Sequence, residues 1–358
     1  MGRFLILDIG AGTMDVLYYH TDSRVHYKAV TKSPVLSIAE KAASLPGNLL
    51  ITGTEMGGGT LSEILRQRAK ESDVIMSVSA AATVHHHLDK VLSWGIQVVE
   101  DGKAEELGHD KRYSKLTLGD LEISRLEHII KGFGVSFSFD VVGICAQDHG
   151  VPPVGVSHLD YRHNIFKASL DRDPFPHSLL YRDDQIPMTF SRLRCICRSA
   201  KALPADEIYV MDSGMAAILG ASMDPLARQK ERILTLDIAT SHTVGAALEK
   251  GEIAGFFEYH THGMTVDRLE NLLVDLAEGK LKHEVILKEG GHGAYIRKAF
   301  GFRSAEIILA TGPKRSLIEK SRIPMILGSP LGDNMMTGTV GILEAIRRHK
   351  GLSPISYL

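Results

Sequence analysis

The run Arg3-Phe4-Leu5-Ile6-Leu7-Asp8-Ile9 recurs 229 residues later as Arg232-Ile233-Leu234-Thr235-Leu236-Asp237-Ile238, with five of seven positions identical. Each copy is a short apolar run closed by an aspartate. Small residues follow it: Gly10-Ala11-Gly12-Thr13 in the first copy, Ala239-Thr240-Ser241 in the second. Self-similarity at a single long offset differs from the short period of a solenoid, and predicts two related halves that open with the same supersecondary unit. A chain of 358 residues, 44% hydrophobic and 23% charged, is long enough for two packed cores, so two domains are expected.

The patterning within each half agrees. Val16–Tyr19 and Val25–Val30 follow the first copy as strands around the turn Thr21-Asp22-Ser23, and Thr243–Leu248 and Ile253–Tyr259 follow the second around Lys250-Gly251-Glu252. Each half therefore opens as a three-stranded meander. Helical spacing covers Leu61–Glu71, Ala80–Leu92, Leu121–Lys131, Met215–Ala221, Val266–Ala277 and Val340–Arg348, with apolar strands at Leu49–Thr52, Val141–Cys145, Ile208–Met211 and Ile307–Ala310. Strands alternating with crossover helices predict α/β layers. The segment 151–204, with prolines at 152, 153, 174, 176 and 187, reads as an elaboration on the first domain that covers substrate. The expected division is a first domain over 1–212 with an insertion at about 151–204, a second over 213–337, and a helix in 338–358 returning to the first.

A net charge of −2 and the lack of any long Lys/Arg block argue against nucleic acid or an anionic membrane as partner, and favour small molecules. Three cysteines, Cys145, Cys195 and Cys197, have neither disulfide-framework nor four-thiolate spacing, as expected of a reducing cytoplasm. The apolar run before Asp8 is far shorter than a signal-peptide core, and no other run approaches a membrane span, so a cytoplasmic location is expected.

Gly10 and Gly12 lie just beyond the strand ending in Asp8, where backbone amides can approach an anion without obstruction. Asp8 at the strand end suits Mg2+, which keeps much of its water and takes few carboxylates. One such turn is uninformative, but a pair facing each other can clamp the phosphates and metal of a nucleotide from two sides.

These residues resemble the superfamily of actin, heat-shock-70 chaperones and sugar kinases. Leu7-Asp8-Ile9-Gly10-Ala11-Gly12-Thr13, with Asp15 beyond it, resembles the first phosphate hairpin. Leu236-Asp237-Ile238-Ala239-Thr240-Ser241-His242 resembles the second, with the Thr and Ser found there in kinases of the xylulose and glycerol type. Ile307–Ser316 resembles the adenosine loop, with Gly312 against the adenine and Lys314 or Arg315 near phosphate or base. Asp212–Gly220 and Gly338–Ala345 resemble the two connecting helices at the hinge. The resemblance implies a duplicated ribonuclease H-like, actin-like ATPase fold with a central cleft for ATP and Mg2+. Asp8 and Asp237 would serve the metal, Gly10, Ala11, Gly12, Thr13, Thr240 and Ser241 the phosphates, and Asp212 would be the catalytic base. The chain also resembles an uncharacterised family labelled "putative pyruvate formate-lyase activating enzyme". That label implies a closely spaced triple-cysteine motif for an iron–sulfur cluster, which this sequence lacks.

Gln147-Asp148-His149-Gly150, after the strand Val141–Cys145, resembles a sugar-kinase motif and sits where ligands bind in α/β sheets. Gln147 would orient water or a substrate hydroxyl, and His149 would bind the acceptor. A polar turn without function is the competing reading. Gly53–Thr60 is nearly a P-loop, but Gly59 stands where the lysine is required, leaving an anion site at a helix start or a tight turn. Among 17 histidines, His85-His86-His87 on a helix would point to different faces, whereas His260 and His262 share a strand face; histidines without a metal are the better expectation for both. Met335-Met336 and Ala80-Ala81-Ala82 read as helix-packing residues. The function expected is phosphoryl transfer from ATP to a small hydroxylated acceptor. The alternative is an ATP-hydrolysing regulator of a client enzyme, and a nucleotide-binding polymer comes third. A homodimer is left open.

Overall fold

The computed structural model describes residues 2–153 and 155–357, so Val154 of the Pro-rich segment lies outside the described residues. The first half opens with β1 (Arg3–Ile9), β2 (Thr13–His20) and β3 (Val25–Lys32). A separate unit follows: α1 (Pro34–Ser44), β4 (Asn48–Gly53), α2 (Gly59–Arg68), β5 (Val74–Ser77), α3 (Val78–Ala81), α4 (Leu88–Ser93), β6 (Gln97–Val99), α5 (Asp101–Leu107) and β7 (Tyr113–Leu118). The chain then returns with α6 (Ile123–Gly132), β8 (Phe139–Ala146), α7 (His158–Arg172), β9 (Leu180–Arg182), α8 (Ser191–Ala200), β10 (Ala205–Asp212) and α9 (Ser213–Ser222). The second half comprises β11 (Arg232–Ile238), β12 (His242–Glu249), β13 (Glu252–His260), α10 (Val266–Ala277), α11 (His283–Lys288), β14 (Gly293–Ile296), β15 (Ile307–Thr311), β16 (Ile326–Leu327) and α12 (Thr337–His349).

The sheet orders make the duplication explicit. They run β3-β2-β1-β8-β10-β9 in the first half and β14-β13-β12-β11-β15-β16 in the second. In both, an antiparallel meander leads to two further strands joined in parallel to its first strand, with one antiparallel strand added at an edge. This is the duplicated ribonuclease H-like architecture of actin-type ATPases. Parallel pairing aligns Asp8 with Cys145, Asp212 with Ala146 and Asp237 with Thr311, so the polar ends of these strands gather at one edge of each sheet.

The halves meet through α9 and α12. Their apolar residues are buried, and the largest core runs continuously from Phe4 and Ile144, through Met215, Ile342 and Ile346, to Ile253 and Leu309. The helices cross so closely that a Cβ on Gly341 would sit 1.7 Å from the Ala216 carbonyl oxygen, and one on Gly220 1.8 Å from that of Thr337. Small residues are therefore obligatory at the crossing.

The four-stranded sheet and the expected helix Ala80–Leu92 differ from the sequence expectation. The unit that stands apart is the four-stranded sheet β6-β5-β4-β7, with its own core around Leu49, Ile51, Leu61 and Met76. Its strands β5 and β6 span only four and three residues, too few for a period to register. The segment 151–204 contributes α7, β9 and α8 beside the first half. The expected helix Ala80–Leu92 is two short helices with 82–87 irregular between them. The backbone N–H of His87 donates to His85 Nδ1 at 2.8 Å, and Thr83 Oγ1 accepts from Met56 N at 3.1 Å, side-chain bonds that compete with helix.

Candidate active site

A cavity of about 640 Å³ opens between the halves. It is lined by Asp8, Gly10, Ala11, Gly12, Thr13 and Asp15 from the first hairpin, and by Asp237, Ala239, Thr240 and Ser241 from the second. Gln147, His149 and Gly312 line it too, as do Glu55–Gly59. The two repeated motifs thus converge on one space. They nearly touch: a Cβ on Gly12 would lie 2.9 Å from Thr240 Oγ1.

Asp8, Asp15 and Asp237 form an acidic floor that none of the lysines or arginines among the described residues pairs with. Burial, reinforced by Asp237 and Asp212, raises Asp8 to about 7. Burial and the facing Asp8 raise Asp15 to about 8. Burial raises Asp237 to about 6, although Thr311 Oγ1 donates to it at 2.8 Å. Asp15 Oδ1 is buried without a partner. Buried carboxylates crowded in this way lose charge to desolvation and mutual repulsion, and a divalent cation is the partner that such a cluster suits. The N-terminal turns of three helices, Gly59 of α2, Ser213 and Gly214 of α9, and Thr337 and Gly338 of α12, also line the cavity. Unpaired amides and the helix dipole make such turns favourable to anions. Carboxylates for a hard cation beside helix starts for phosphate are a donor set that fits a magnesium nucleotide.

Asp212 takes a different place from the one expected. It caps α9, its Oδ1 accepting from Gly214 N at 2.9 Å, and its Oδ2 pairs with Arg162 Nη2 at 2.7 Å. It does not line the cavity, and both oxygens are held by these partners. Lys314 and Arg315 also lie off the cavity; Lys314 is exposed, and Arg315 donates to Ser329 Oγ at 3.1 Å to hold its own loop. Gly312 keeps its expected place, its carbonyl accepting from Asn334 Nδ2 at 2.9 Å.

The structure adds residues that the sequence did not mark. Arg162, buried on α7, donates to Asp212 and, at 2.7 Å, to Glu258 on β13, so it ties one half to the other. Burial opposes the charge on Glu258, but Arg162 and His292 outweigh it and keep the carboxylate ionised. Gln147 Nε2 donates to Glu258 from the opposite side. Arg192 on α8 makes a two-pronged pair with Asp120 at 2.8 and 2.9 Å and donates to the Gln147 carbonyl at 2.8 Å. Both arginines come from the Pro-rich segment, and isolated charges in an unpatterned stretch gave no signal. In the near-P-loop, Glu55 meets His86 Nε2 at 2.8 Å, and both line the cavity. The premise for His85-His86-His87 is corrected as well: they are not on a helix, and all three rings lie against His158.

The model of a family described as "Putative pyruvate format-lyase activating enzyme" (DUF1786) matches residues 56–317. No curated protein matches the sequence. Among solved structures, a Bacteroides thetaiotaomicron protein with an actin-like ATPase fold and unknown function is similar over 89% of this chain and 86% of its own, at 9% identity and a TM-score of 0.33. A ROK hexokinase from Thermus thermophilus is similar over 98% and 99%, at 12% identity and a TM-score of 0.31. An exopolyphosphatase from Cytophaga hutchinsonii is similar over 99% and 92%, at 10% identity and a TM-score of 0.32. At such TM-scores nothing about activity is drawn from them.

Proposed function

The chain belongs to the family whose model spans residues 56–317, and from that premise we propose that it is an ATP- and Mg2+-dependent phosphotransferase acting on a small hydroxylated acceptor between its two halves. The observation that carries this reading is the convergence of Asp8 and Asp237, the ends of duplicated strands, on one cavity with both hairpin turns. Bound ATP supplies the transferable γ-phosphoryl group. Asp8 and Asp237 would hold the metal, and the amides of Gly10–Thr13 with the hydroxyls of Thr240 and Ser241 would hold phosphate oxygens. Gln147 would orient the acceptor. Glu55, which lines the cavity beside His86 and pairs with no lysine or arginine among the described residues, would take the acceptor's proton.

The family's description names an activating enzyme, and the label implies an iron–sulfur cluster. The residues do not fit one: Cys145 is buried on β8, Cys195 and Cys197 are on α8, and no group of three cysteines converges among the described residues. A second reading, an ATPase switch acting on a client enzyme, draws support from the Arg162–Glu258 pair, a latch between the halves that a switch would open and close.

One assay separates the two. ADP release is measured for the purified protein alone and against a panel of polyols and sugars. Stimulation at least tenfold by one compound, lost in Glu55→Gln while nucleotide binding persists, is expected of the kinase. A slow rate indifferent to every compound overturns it in favour of the switch.

A further inference from the structure

Behind the carboxylate floor, the same cleft holds a second polar cluster of different chemistry. His149 follows β8 in the first half; His242 begins β12 and His292 precedes β14 in the second. One ring nitrogen from each lies within 4.8 Å of the others. The ring centroids of His242 and His292 are 4.6 Å apart, and those of His149 and His292 5.3 Å. In a tetrahedral zinc site with bonds of about 2.0–2.1 Å, nitrogens stand about 3.4 Å apart. Small ring rotations therefore close the set.

The outer contacts already orient these rings. Ser241 Oγ is 2.7 Å from His242 Nδ1, which leaves Nε2, and that atom is buried with no partner. Glu258 Oε1 lies 3.3 Å from Nδ1 of the buried His292, a nitrogen that, like His242 Nε2, makes no hydrogen bond. His260 Nε2 and His292 Nε2 are 3.0 Å apart, a hydrogen bond between the two rings that holds His292 and turns its Nδ1 to the other side. Three convergent imidazoles, two orphaned nitrogens and a carboxylate beside one of them are more than a packed aromatic cluster requires.

We propose that His149, His242 and His292 form a binding site for a divalent first-row transition cation of the zinc class, bridging the two halves of the protein. Nitrogen-only donors select such an ion over Mg2+, which takes oxygen. The cleft thus carries two cation sites of opposite preference, oxygen at Asp8 and Asp237 and nitrogen at the histidines. His149 and His242 both line the cavity, so a three-nitrogen site would leave its fourth position toward bound ligand. Because the ligands come from both halves, the ion would also hold the cleft closed. This site does not depend on the nucleotide reading.

The test uses the full chain, stripped with chelator and titrated with Co2+ and Zn2+ alone. The expected result is one equivalent of Co2+ with the intense visible absorption of a four-coordinate site, displaced by Zn2+. His149→Gln, His242→Gln and His292→Gln should each weaken binding at least about tenfold, while the exposed His109→Ala leaves it unchanged. Where a variant fails to fold, mass-spectrometric mapping of histidine carbethoxylation in the native protein decides: one equivalent of Zn2+ should protect His149, His242 and His292 together. Absence of stoichiometric binding, a weak six-coordinate spectrum, or protection confined to other histidines overturns the proposal.

Discussion

The two repeated hairpins share a backbone and differ in their chemistry. Gly10 N donates to Thr13 O at 2.9 Å, and Ala239 N to His242 O at 3.0 Å, the same closure of the same turn. Glycine is therefore not what makes the turn. Gly12 is needed because Thr240 of the opposite hairpin comes within 2.9 Å of where its Cβ would be. The acids differ too. Asp8 faces Asp15 across the strand pair, whereas Asp237 faces Val244. The first hairpin concentrates negative charge, and the second replaces it with an apolar neighbour and two hydroxyls. The duplicated frame thus has a more acidic side and a hydroxyl-bearing side.

The largest effect that would sharpen this contrast is on nucleotide binding. Asp8→Asn is expected to reduce affinity for Mg·ATP about 100-fold by titration calorimetry and Asp237→Asn about tenfold; equal losses would remove the asymmetry. Stability should move the other way. Burial, with Asp237 and Asp212, raises Asp8 from 3.8 to about 7, so its contribution to folding is full below about pH 4 and lost as pH rises through about 7. Asp8→Asn should therefore be more stable than the parent by about 2 kcal/mol at pH 8, with the difference vanishing near pH 4, as read from urea unfolding at each pH.

A smaller effect tests the close approach. Gly12→Ala should weaken nucleotide binding several-fold, and Thr240→Ser, which removes a methyl group at 3.0 Å, should recover part of the loss. A double-mutant cycle should return a coupling of about 1 kcal/mol, and its absence would mean the hairpins are not in contact. The smallest effect is at Ala239. Ala239→Gly should cost only about 0.5–1 kcal/mol, through the unfolded chain, with nucleotide affinity unchanged, because the turn already closes without glycine.

Much of the frame could be read from local pattern. Both meanders, the strand that precedes Gln147, and the glycine-bearing hinge helices follow from alternation and small-residue runs, which act over a few neighbours. Of the site, Asp8, Asp237, Gln147, His149 and the hairpin residues lay at strand ends that the pattern already marked. Asp212 lies at its strand end as expected, but its partner Arg162 is 50 residues away in a segment without period. The four-stranded sheet escaped because strands of three and four residues leave no period to detect.

The sequence by itself determined that the chain is a duplication, and that each copy ends a buried strand in an acid beside a tight turn. Burial patterns repeat at intervals set by the strand and the helix, so they are written locally. Only the tertiary structure decided which charges are compensated and which are left bare. Arg162 reaches Glu258 across 96 residues, Gln147 reaches it across 111, and three histidines from separate elements meet in one cleft. Such meetings follow from how the sheets and the crossing helices are stacked, and no neighbour in the sequence records them.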